Sequence, residues 1–221
     1  MESGPPRIAA VVLAAGLSTR MGQPKALLPF GGKPLLACVI ETIAAVGGIA
    51  PIVVVSGHAA EAVGKILADL ANPAVHPVTN PAYATGGMLS SIQSGVAAVA
   101  KQADAFFIVL GDQPMVRVQT LRSMMRAWRE KRPRVLLPTC DGKHGHPILL
   151  SCEGAGQILS LPRDATLKTY TSTQSEHTLE LRVDDPAVLC DIDTPADYQA
   201  ALERLTDPDK NSGRSPSCPT D

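Results

Sequence analysis

Residues 7–25 read RIAAVVLAAGLSTRMGQPK, an apolar run that passes directly into a loop of glycine, hydroxyl and basic residues. The apolar part, Arg7 to Ala14, has the length and β-branched content of a buried strand. The loop contains two glycines, and its two cations, Arg20 and Lys25, have no acidic residue between them. In open α/β sheets, ligands bind at the carboxyl ends of strands. This loop is therefore the first candidate for a binding site.

The composition of the loop suits a polyphosphate, whose oxygens bind backbone N–H groups, a guanidinium fork and an ammonium. The loop matches neither common phosphate motif. Ser18 stands where GxGxxG has its second glycine, and Lys25 lies three residues after Gly22, whereas GxxxxGK has the lysine directly after the glycine. The missing GxGxxG and the basic loop disfavour an NAD-dependent oxidoreductase. The alternative interpretation is an ordinary glycine turn at the end of a strand.

Apolar runs and amphipathic stretches alternate along most of the chain, which predicts a mostly parallel, Rossmann-like, three-layer α/β sheet. The predicted strands are Arg7–Ala14, Pro51–Ser56, Val75–Thr79, Ala105–Leu110 and Arg134–Pro138. The predicted helices are Pro34–Val46, Ala59–Leu70, Met88–Lys101, Val118–Lys131 and Pro195–Leu205. Residues 143–190 alternate less regularly and indicate a small β-rich insertion. Residues 206–221 lack an apolar period and predict a disordered tail.

Composition limits the classes of function. The 221 residues, 45% of them hydrophobic and 19% charged, suit one globular α/β domain or two small ones, and we predict a single domain over residues 1–205. Because 20 Lys and Arg balance 21 Asp and Glu, no positive field exists to hold a nucleic acid. No segment reaches the roughly 20 apolar residues of a membrane span. We expect neither nucleic acid nor membrane as a partner, and any anionic ligand must be small.

The five cysteines are scattered without a CxxC pair, which disfavours a zinc site or disulfide framework and favours a reducing cytoplasm. Arg7 followed by the apolar run Ile8 to Leu17 could pass for a short signal peptide. Ser18 to Met21 follow that run in place of a cleavage stretch, so the cytoplasmic interpretation is preferred.

Two acidic motifs follow apolar or extended segments. Asp112 lies in Gly111-Asp-Gln-Pro114, directly after a predicted strand, and a second motif reads Asp191-Ile-Asp-Thr-Pro195. Mg²⁺ is usually held by one or two carboxylates together with substrate phosphates. The alternatives are an Asx turn at Asp112 and a helix start at Asp193 or Thr194. In a regular short strand, residues two apart point to the same face, so the strand pattern does not indicate whether Asp191 or Asp193 would hold the metal.

These motifs resemble the MobA-like NTP transferases, which belong to the wider nucleotide-diphospho-sugar transferase type of fold. The resemblance rests on residues 13–25, Gly31-Gly-Lys-Pro-Leu-Leu36, Asn80-Pro81, Gly87-Met88 with Ser90-Ser-Ile92, Gly111-Asp-Gln-Pro114, Gly145-His-Pro147 and Asp191-Ile-Asp-Thr-Pro195. It extends from residue 8 to about residue 205 and is strongest to the branch that transfers CMP to the molybdenum cofactor. It implies a nucleotide-binding half over residues 7–114 and an acceptor-binding half over residues 115–205.

The resemblance also implies roles for residues. Arg20, Lys25 and Asp112 would be catalytic, and Asp112 with Asp193 would hold Mg²⁺, Asp193 being preferred because relatives vary the first acid of the final motif more. The nucleotide would contact Leu13, Ala14, Ala15, Gly16, Ser18, Arg20, Lys25, Asn80, Gly87, Met88, Ser91 and Asp112. Ser91 has a helix cap as its alternative role. The Leu-Ala-Ala-Gly form of the opening favours CTP over GTP.

The acceptor would bind at Gly145, His146 and Pro147. A lone histidine before proline is more often a strand-edge residue than a catalytic one, so His146 is assigned to binding and not to proton transfer. The chain departs from the family by carrying Lys143 and His144 where an arginine usually stands two residues before Gly-His-Pro. Residues 161–168 also lack the usual glycine and arginine spacing. Both departures leave the identity of the acceptor open.

The resemblance implies transfer of CMP from CTP to the terminal phosphate of molybdopterin, giving molybdopterin cytosine dinucleotide and pyrophosphate. A xanthine dehydrogenase-type apoenzyme, or its chaperone, would be the protein partner. One alternative is a guanylyl- or cytidylyltransferase for another phosphorylated acceptor. Another is a non-catalytic molybdopterin-binding chaperone, which would not need Asp112 or Asp193.

Overall fold

A computed structural model describes residues 6–206, and these form one eight-stranded sheet, a two-stranded hairpin and seven α-helices. The expected tail, residues 206–221, lies outside the described residues except for Thr206, which ends the last helix. The strands of the main sheet are β1 (Ile8–Ala14), β4 (Ile49–Ser56), β5 (Val75–Thr79), β6 (Ala105–Leu110), β7 (Val135–Cys140), β8 (Lys143–His144), β9 (Ile148–Ser151) and β10 (Thr178–Arg182). The hairpin consists of β2 (Pro29–Phe30) and β3 (Lys33–Pro34).

The strand order of the main sheet is β10-β7-β9-β6-β1-β4-β5, with β8 paired to β7. Strand β1 is parallel to both β4 and β6, and β7 is parallel to β10. Strand β9 runs antiparallel between β6 and β7. The carboxyl ends of the parallel strands and the beginning of β9 therefore meet at one edge of the sheet. The expected mostly parallel sheet is confirmed, and the strands of the insertion extend it.

The helices cover both faces of the sheet. They are α1 (Leu35–Val46), α2 (Ala60–Leu70), α3 (Gly87–Val99), α4 (Val118–Lys131), α5 (Ala155–Leu159), α6 (Leu167–Ser172) and α7 (Pro195–Thr206). Helices α1, α2, α4 and α7 pack with Ile8, Ala10 and Val12 of β1 in one core. Helices α3, α5 and α6 pack with Ala9 and Val11 in the other core. Both faces of β1 are buried, which explains its uninterrupted apolar sequence.

Helix α3 lies unusually close to the sheet. A Cβ atom at Gly95 would come within 2.2 Å of Val11 Cγ1 and 3.0 Å of Val55 Cγ2. Glycine is the residue that allows this approach, because any side chain would push the helix off the sheet. The close packing fixes the position of the first turn of α3 at the carboxyl edge.

Residues 190–194 form no strand, so the short strand considered for Asp191 and Asp193 is absent. The N–H of Ile192 donates to the carbonyl of Asp112, and those of Asp193 and Thr194 donate to Asp197 Oδ2. These donors are committed to a neighbouring loop and a helix start, so no ladder with another strand can form. No helix within residues 6–206 has the length and apolar character needed to cross a membrane.

Candidate active site

The loop after β1 is held in a defined shape by its own hydroxyl and glycine residues. Ser18 has φ of +53° and accepts hydrogen bonds from two directions: its carbonyl from the N–H of Met21, and its Oγ from the N–H of Lys25 at 3.0 Å. Gly22 also has a positive φ, +68°. The chain therefore reverses between Ser18 and Lys25 and turns the Lys25 side chain back towards the end of β1.

The ammonium of Lys25 joins the two acidic motifs. Its Nζ lies 2.8 Å from Asp112 Oδ2 and 2.5 Å from Asp193 Oδ1. The Arg20 guanidinium lies 3.0 Å from the other oxygen of Asp193. The Lys25 side chain is only 17% exposed, whereas that of Arg20 is 67% exposed. Lys25 thus lies inside the site, and Arg20 reaches over it from solvent.

Hydrogen bonds of the main chain bring Asp193 to this place. The N–H of Ile192 donates to the carbonyl of Asp112 at 3.1 Å, so the two motifs run side by side. Helix α7 is capped by Thr194 and Asp197: Asp197 Oδ2 accepts from the N–H of Thr194, and Thr194 Oγ1 accepts from the N–H of Asp197. Since these two residues form the cap, the carboxylate of Asp193 is left for Lys25 and Arg20.

The charges of the site shift its pKa values. Hydrogen bonding from Lys25, aided by the charges of Lys25 and Arg20, lowers the pKa of Asp193 despite the partial burial of its carboxylate. Burial opposes the charge of Lys25, but hydrogen bonds and charges from Asp112 and Asp193 outweigh it and raise the pKa of Lys25. The ammonium and the Asp193 carboxylate are therefore both charged at neutral pH.

A cleft of about 580 Å³ opens above Lys25 at the carboxyl edge, a size that suits a small ligand. It is lined by most of the residues expected to bind the nucleotide: Leu13, Ala14, Ala15, Gly16, Ser18, Arg20, Lys25, Gly87, Met88, Ser91 and Asp112. Asp191 and Asp193 line it as well. Two close approaches shape its walls: a Cβ atom at Gly111 would lie 2.6 Å from the carbonyl oxygen of Leu13, and one at Gly57 would lie 2.5 Å from Tyr83 Cβ.

Asn80 lies behind the cleft and does not line it. Its side chain is almost fully buried, its Nδ2 donates to Ser90 Oγ and Ser91 Oγ, and its Oδ1 accepts from the N–H of Ala82. In this position Asn80 fixes the loop before α3 to the first turn of that helix. Ser91 lies one turn after the start of α3, so it does not cap the helix.

Sequence reasoning missed Tyr83, Ala59 and Thr85, which line the same cleft from the loops after β4 and β5. The rule that ligands bind at the carboxyl ends of neighbouring parallel strands could have indicated both loops. Tyr83 also follows Asn80-Pro81 closely and is one of only three tyrosines in the chain.

Gly145 and His146 lie next to the cleft, in a wall shared by two further cavities. The larger, about 1,210 Å³, is lined from one side by Gly145 and His146 and from the other by residues 86–89 of the α3 start and residues 163–168. Pro147 is buried behind them. Burial lowers the pKa of His146 against the opposing charge of Asp112, so its ring is neutral at pH 7.

Asp191 lies between the cleft and the smaller cavity, which measures about 390 Å³. The Gln113 Nε2 atom donates to Asp191 Oδ1 at 2.6 Å and to the carbonyl of Val188 at 3.3 Å. Partial burial and the nearby charge of Asp112 raise the pKa of Asp191, although the hydrogen bond from Gln113 opposes this shift. Asp191 is thus held by Gln113, whereas Asp193 is held by Lys25.

Asp112 and Asp193 provide the kind of donor set that Mg²⁺ takes. Both carboxylates contact the same ammonium, so their oxygens already converge on one cationic group. Within residues 6–206, no group of three or more His, Cys, Asp or Glu side chains is arranged to hold a metal. Two carboxylates fit Mg²⁺ when substrate phosphates supply further oxygen ligands.

The sheet topology and the acid–cation cluster at its carboxyl edge define a nucleotidyltransferase. Residues 10–179 match the family model of the MobA-like NTP transferase domain, and the chain belongs to that family. It is similar to the molybdenum cofactor cytidylyltransferase of Escherichia coli strain K12, with 30% identity over 197 residues, 89% of this chain and 96% of that protein.

Solved structures of Rv0371c are also similar to this chain. The crystal structure of Rv0371c from Mycobacterium tuberculosis H37Rv superposes with a TM-score of 0.76 at 29% identity, covering 90% of this chain and 99% of that one. The structure of Rv0371c in complex with manganese gives a TM-score of 0.71 at 29% identity, covering 89% and 98%.

Proposed function

We propose that this protein transfers CMP from CTP to the terminal phosphate of molybdopterin. The observation that carries the proposal is the meeting of Lys25, Asp112 and Asp193 in a cleft that adjoins a second cavity. The cleft is lined by the loop after β1, and the cavity of about 1,210 Å³, beyond Gly87 and Met88, has room for a second substrate. The similarity to the E. coli cytidylyltransferase over nearly the full length of both chains supports this choice of substrates.

In the proposed reaction, an oxygen of the acceptor phosphate attacks the α-phosphorus of CTP, and the bond to the β-phosphate oxygen breaks to release pyrophosphate. A phosphate monoester is already an anion at neutral pH, so no general base is needed. Catalysis is therefore positioning and neutralisation of charge. Lys25 stabilises charge at the α-phosphoryl oxygens, and the exposed Arg20 binds the departing pyrophosphate.

Asp112 and Asp193 would hold Mg²⁺, which would supply positive charge to the phosphate oxygens. The manganese complex of Rv0371c supports a divalent cation in this family, as does the oxygen donor set of the two aspartates. His146, being neutral, contributes a hydrogen-bonding surface on the acceptor side. In the cell, we propose a cytoplasmic location and a xanthine dehydrogenase-type apoenzyme, or its chaperone, as the recipient of the product.

The test is pyrophosphate release with purified protein, Mg²⁺ and molybdenum-loaded molybdopterin, comparing CTP with GTP. We expect release with CTP only, accompanied by a larger rise of the melting temperature with CTP than with GTP or NADH. Equal rates with GTP would contradict the cytidylyl assignment. Binding of molybdopterin without pyrophosphate release would favour a molybdopterin chaperone.

A further inference from the structure

The side chain of Gln93, on α3, binds three carbonyl groups of one neighbouring segment. Its Nε2 atom lies 3.1 Å from the carbonyl oxygen of Ile158, 3.4 Å from that of Leu159 and 3.1 Å from that of Leu161. Ile158 and Leu159 are the last residues of α5, where carbonyl groups lack partners within the helix. A single amide group therefore fastens the end of α5 and the residues after it to α3.

The fastened segment continues into a wall of the larger cavity. Residues 163–168 line that cavity and bring two cations, Arg163 and Lys168, to it. Both residues are exposed, and neither side chain forms an ion pair with any other residue from 6 to 206. Two acidic residues also line the cavity, Asp164 and Glu180, and Glu180 is paired with His144 at 2.8 Å. The two unpaired cations outnumber the remaining acid, Asp164, and suit an anionic ligand.

Helix α3 connects this wall with the nucleotide cleft. Its first two residues, Gly87 and Met88, line both the cleft and the larger cavity. Gln93 follows on the same helix, which Gly95 seats directly on the sheet. The position of the cationic wall relative to the nucleotide is therefore set through α3 and the amide of Gln93.

We propose that Gln93 is a positioning residue for the acceptor: it holds residues 161–168 so that Arg163 and Lys168 engage the anionic acceptor next to the nucleotide. The identity of the cavity as the acceptor site rests on the proposed function. The three hydrogen bonds of Gln93 to the carbonyl groups of Ile158, Leu159 and Leu161, which we call the clamp, do not depend on that function. Loss of the clamp would loosen the acceptor wall and leave the loop after β1 unchanged.

The test compares Gln93→Met, which keeps the length of the side chain but removes the donor, with Gln102→Met. Gln102 also donates its amide to a helical carbonyl, that of Ala98 at 2.7 Å, but just past the far end of α3. We expect Gln93→Met to raise the KM for molybdopterin about three- to tenfold, with kcat and the Kd of CTP within about twofold. Amide hydrogen exchange should quicken in residues 159–168 and stay unchanged in residues 13–25. Gln102→Met should change none of these.

A double variant, Arg163→Gln with Lys168→Gln, tests the wall independently, because both side chains are exposed and their replacement does not disturb packing. It should raise the KM for molybdopterin without a change in hydrogen exchange, and an unchanged KM here overturns the proposal even if Gln93→Met does not fold. An unchanged KM in Gln93→Met would also overturn the proposal, as would an equal loss of CTP affinity in that variant. If wild-type protein shows no turnover with molybdopterin, the proposed function fails, and hydrogen exchange in residues 159–168 still decides whether the clamp exists.

Discussion

The main-chain N–H of Ile192 donates a hydrogen bond of 3.1 Å to the main-chain carbonyl of Asp112. This bond involves no side-chain group of either residue, so it aligns the two acidic motifs whatever their side chains are. Asp193, the next residue, is thereby placed beside Asp112 with its carboxylate on Lys25. The acid pair is a consequence of backbone geometry, and single side-chain changes can test its chemistry without dismantling it.

Lys25→Met should lower kcat about a hundredfold and weaken CTP binding much less. Stabilisation that strengthens in the transition state appears in kcat, and one such charge contact contributes roughly 3 kcal/mol. Steady-state kinetics with varied CTP, together with direct CTP titration, measures both effects. Lys33→Met is the matched control, because Lys33 pairs with Glu41 on the surface. If Lys25→Met kept its turnover and lost only affinity, Lys25 would be an anchoring cation.

Asp112→Asn and Asp193→Asn should each abolish turnover and weaken Mn²⁺ binding in the presence of CTP, measured by electron paramagnetic resonance. Asp191→Asn should retain much of both, because Gln113 and not Lys25 contacts Asp191. All three substitutions preserve side-chain shape, so differences between them report on charge. A larger loss in Asp191→Asn, with folding intact, would move the metal assignment to Asp191.

Gly111→Ala should destabilise the protein by about 1–3 kcal/mol, because the added Cβ would lie 2.6 Å from the carbonyl oxygen of Leu13. Gly16→Ala is the control, since nothing lies within 4 Å of its added Cβ. Urea denaturation should show a large fall in the free energy of unfolding for Gly111→Ala and little change for Gly16→Ala.

The affinity for CTP should nevertheless fall in Gly16→Ala if the nucleotide contacts this stretch of backbone. An unchanged affinity would place the nucleotide elsewhere.

The contribution of Asp193 to stability should depend on pH. Its folded-state pKa lies below the ordinary value of 3.8, so the unfolded chain takes up the proton first as the pH falls. The stabilising ion pairs with Lys25 and Arg20 are therefore fully present above about pH 4 and are lost as the pH falls through the lowered pKa. The difference in unfolding free energy between wild type and Asp193→Asn should be largest near pH 7 and shrink towards pH 2. A difference that grows in acid would contradict this.

Much of the fold follows from local sequence. Strands β5 and β6 and helix α4 begin and end where the sequence patterns predict. All six residues of β6 are buried, as expected of a short apolar run, and the buried residues of α4 repeat with the period of a helix. The place of β9 between β6 and β7 is not predictable in this way. Its three apolar residues and Ser151 carry no signal for which strands they join, since that depends on pairing across long stretches of sequence.

The candidate site can also be predicted only in part from the sequence. The loop after β1 and both acidic motifs are recognisable from residue types at the ends of predicted strands. The contact of one lysine with both aspartates is not, because it depends on the bond between Ile192 and Asp112. The proposed role of Gln93 cannot be predicted from the sequence for a similar reason, because its partners are main-chain carbonyl groups, which every residue carries.

The reversed direction of β9 has a consequence for protein engineering. Strand β7 brings the chain to the cleft edge at Cys140, and β9 takes it away from that edge at Ile148, as the neighbour of β7 in the sheet. Residues 141–147 are therefore a cassette whose two ends are anchored in adjacent strands. Lys143 and His144, the exposed residues of β8, can be exchanged while β7, β9 and the loop after β1 stay as they are, whereas Gly145 cannot, because an added Cβ atom would lie 2.5 Å from the carbonyl oxygen of Val188. Variation confined to Lys143 and His144, which line the cavities beside the cleft, therefore changes the proposed acceptor side of the site and leaves the loop after β1 as it is.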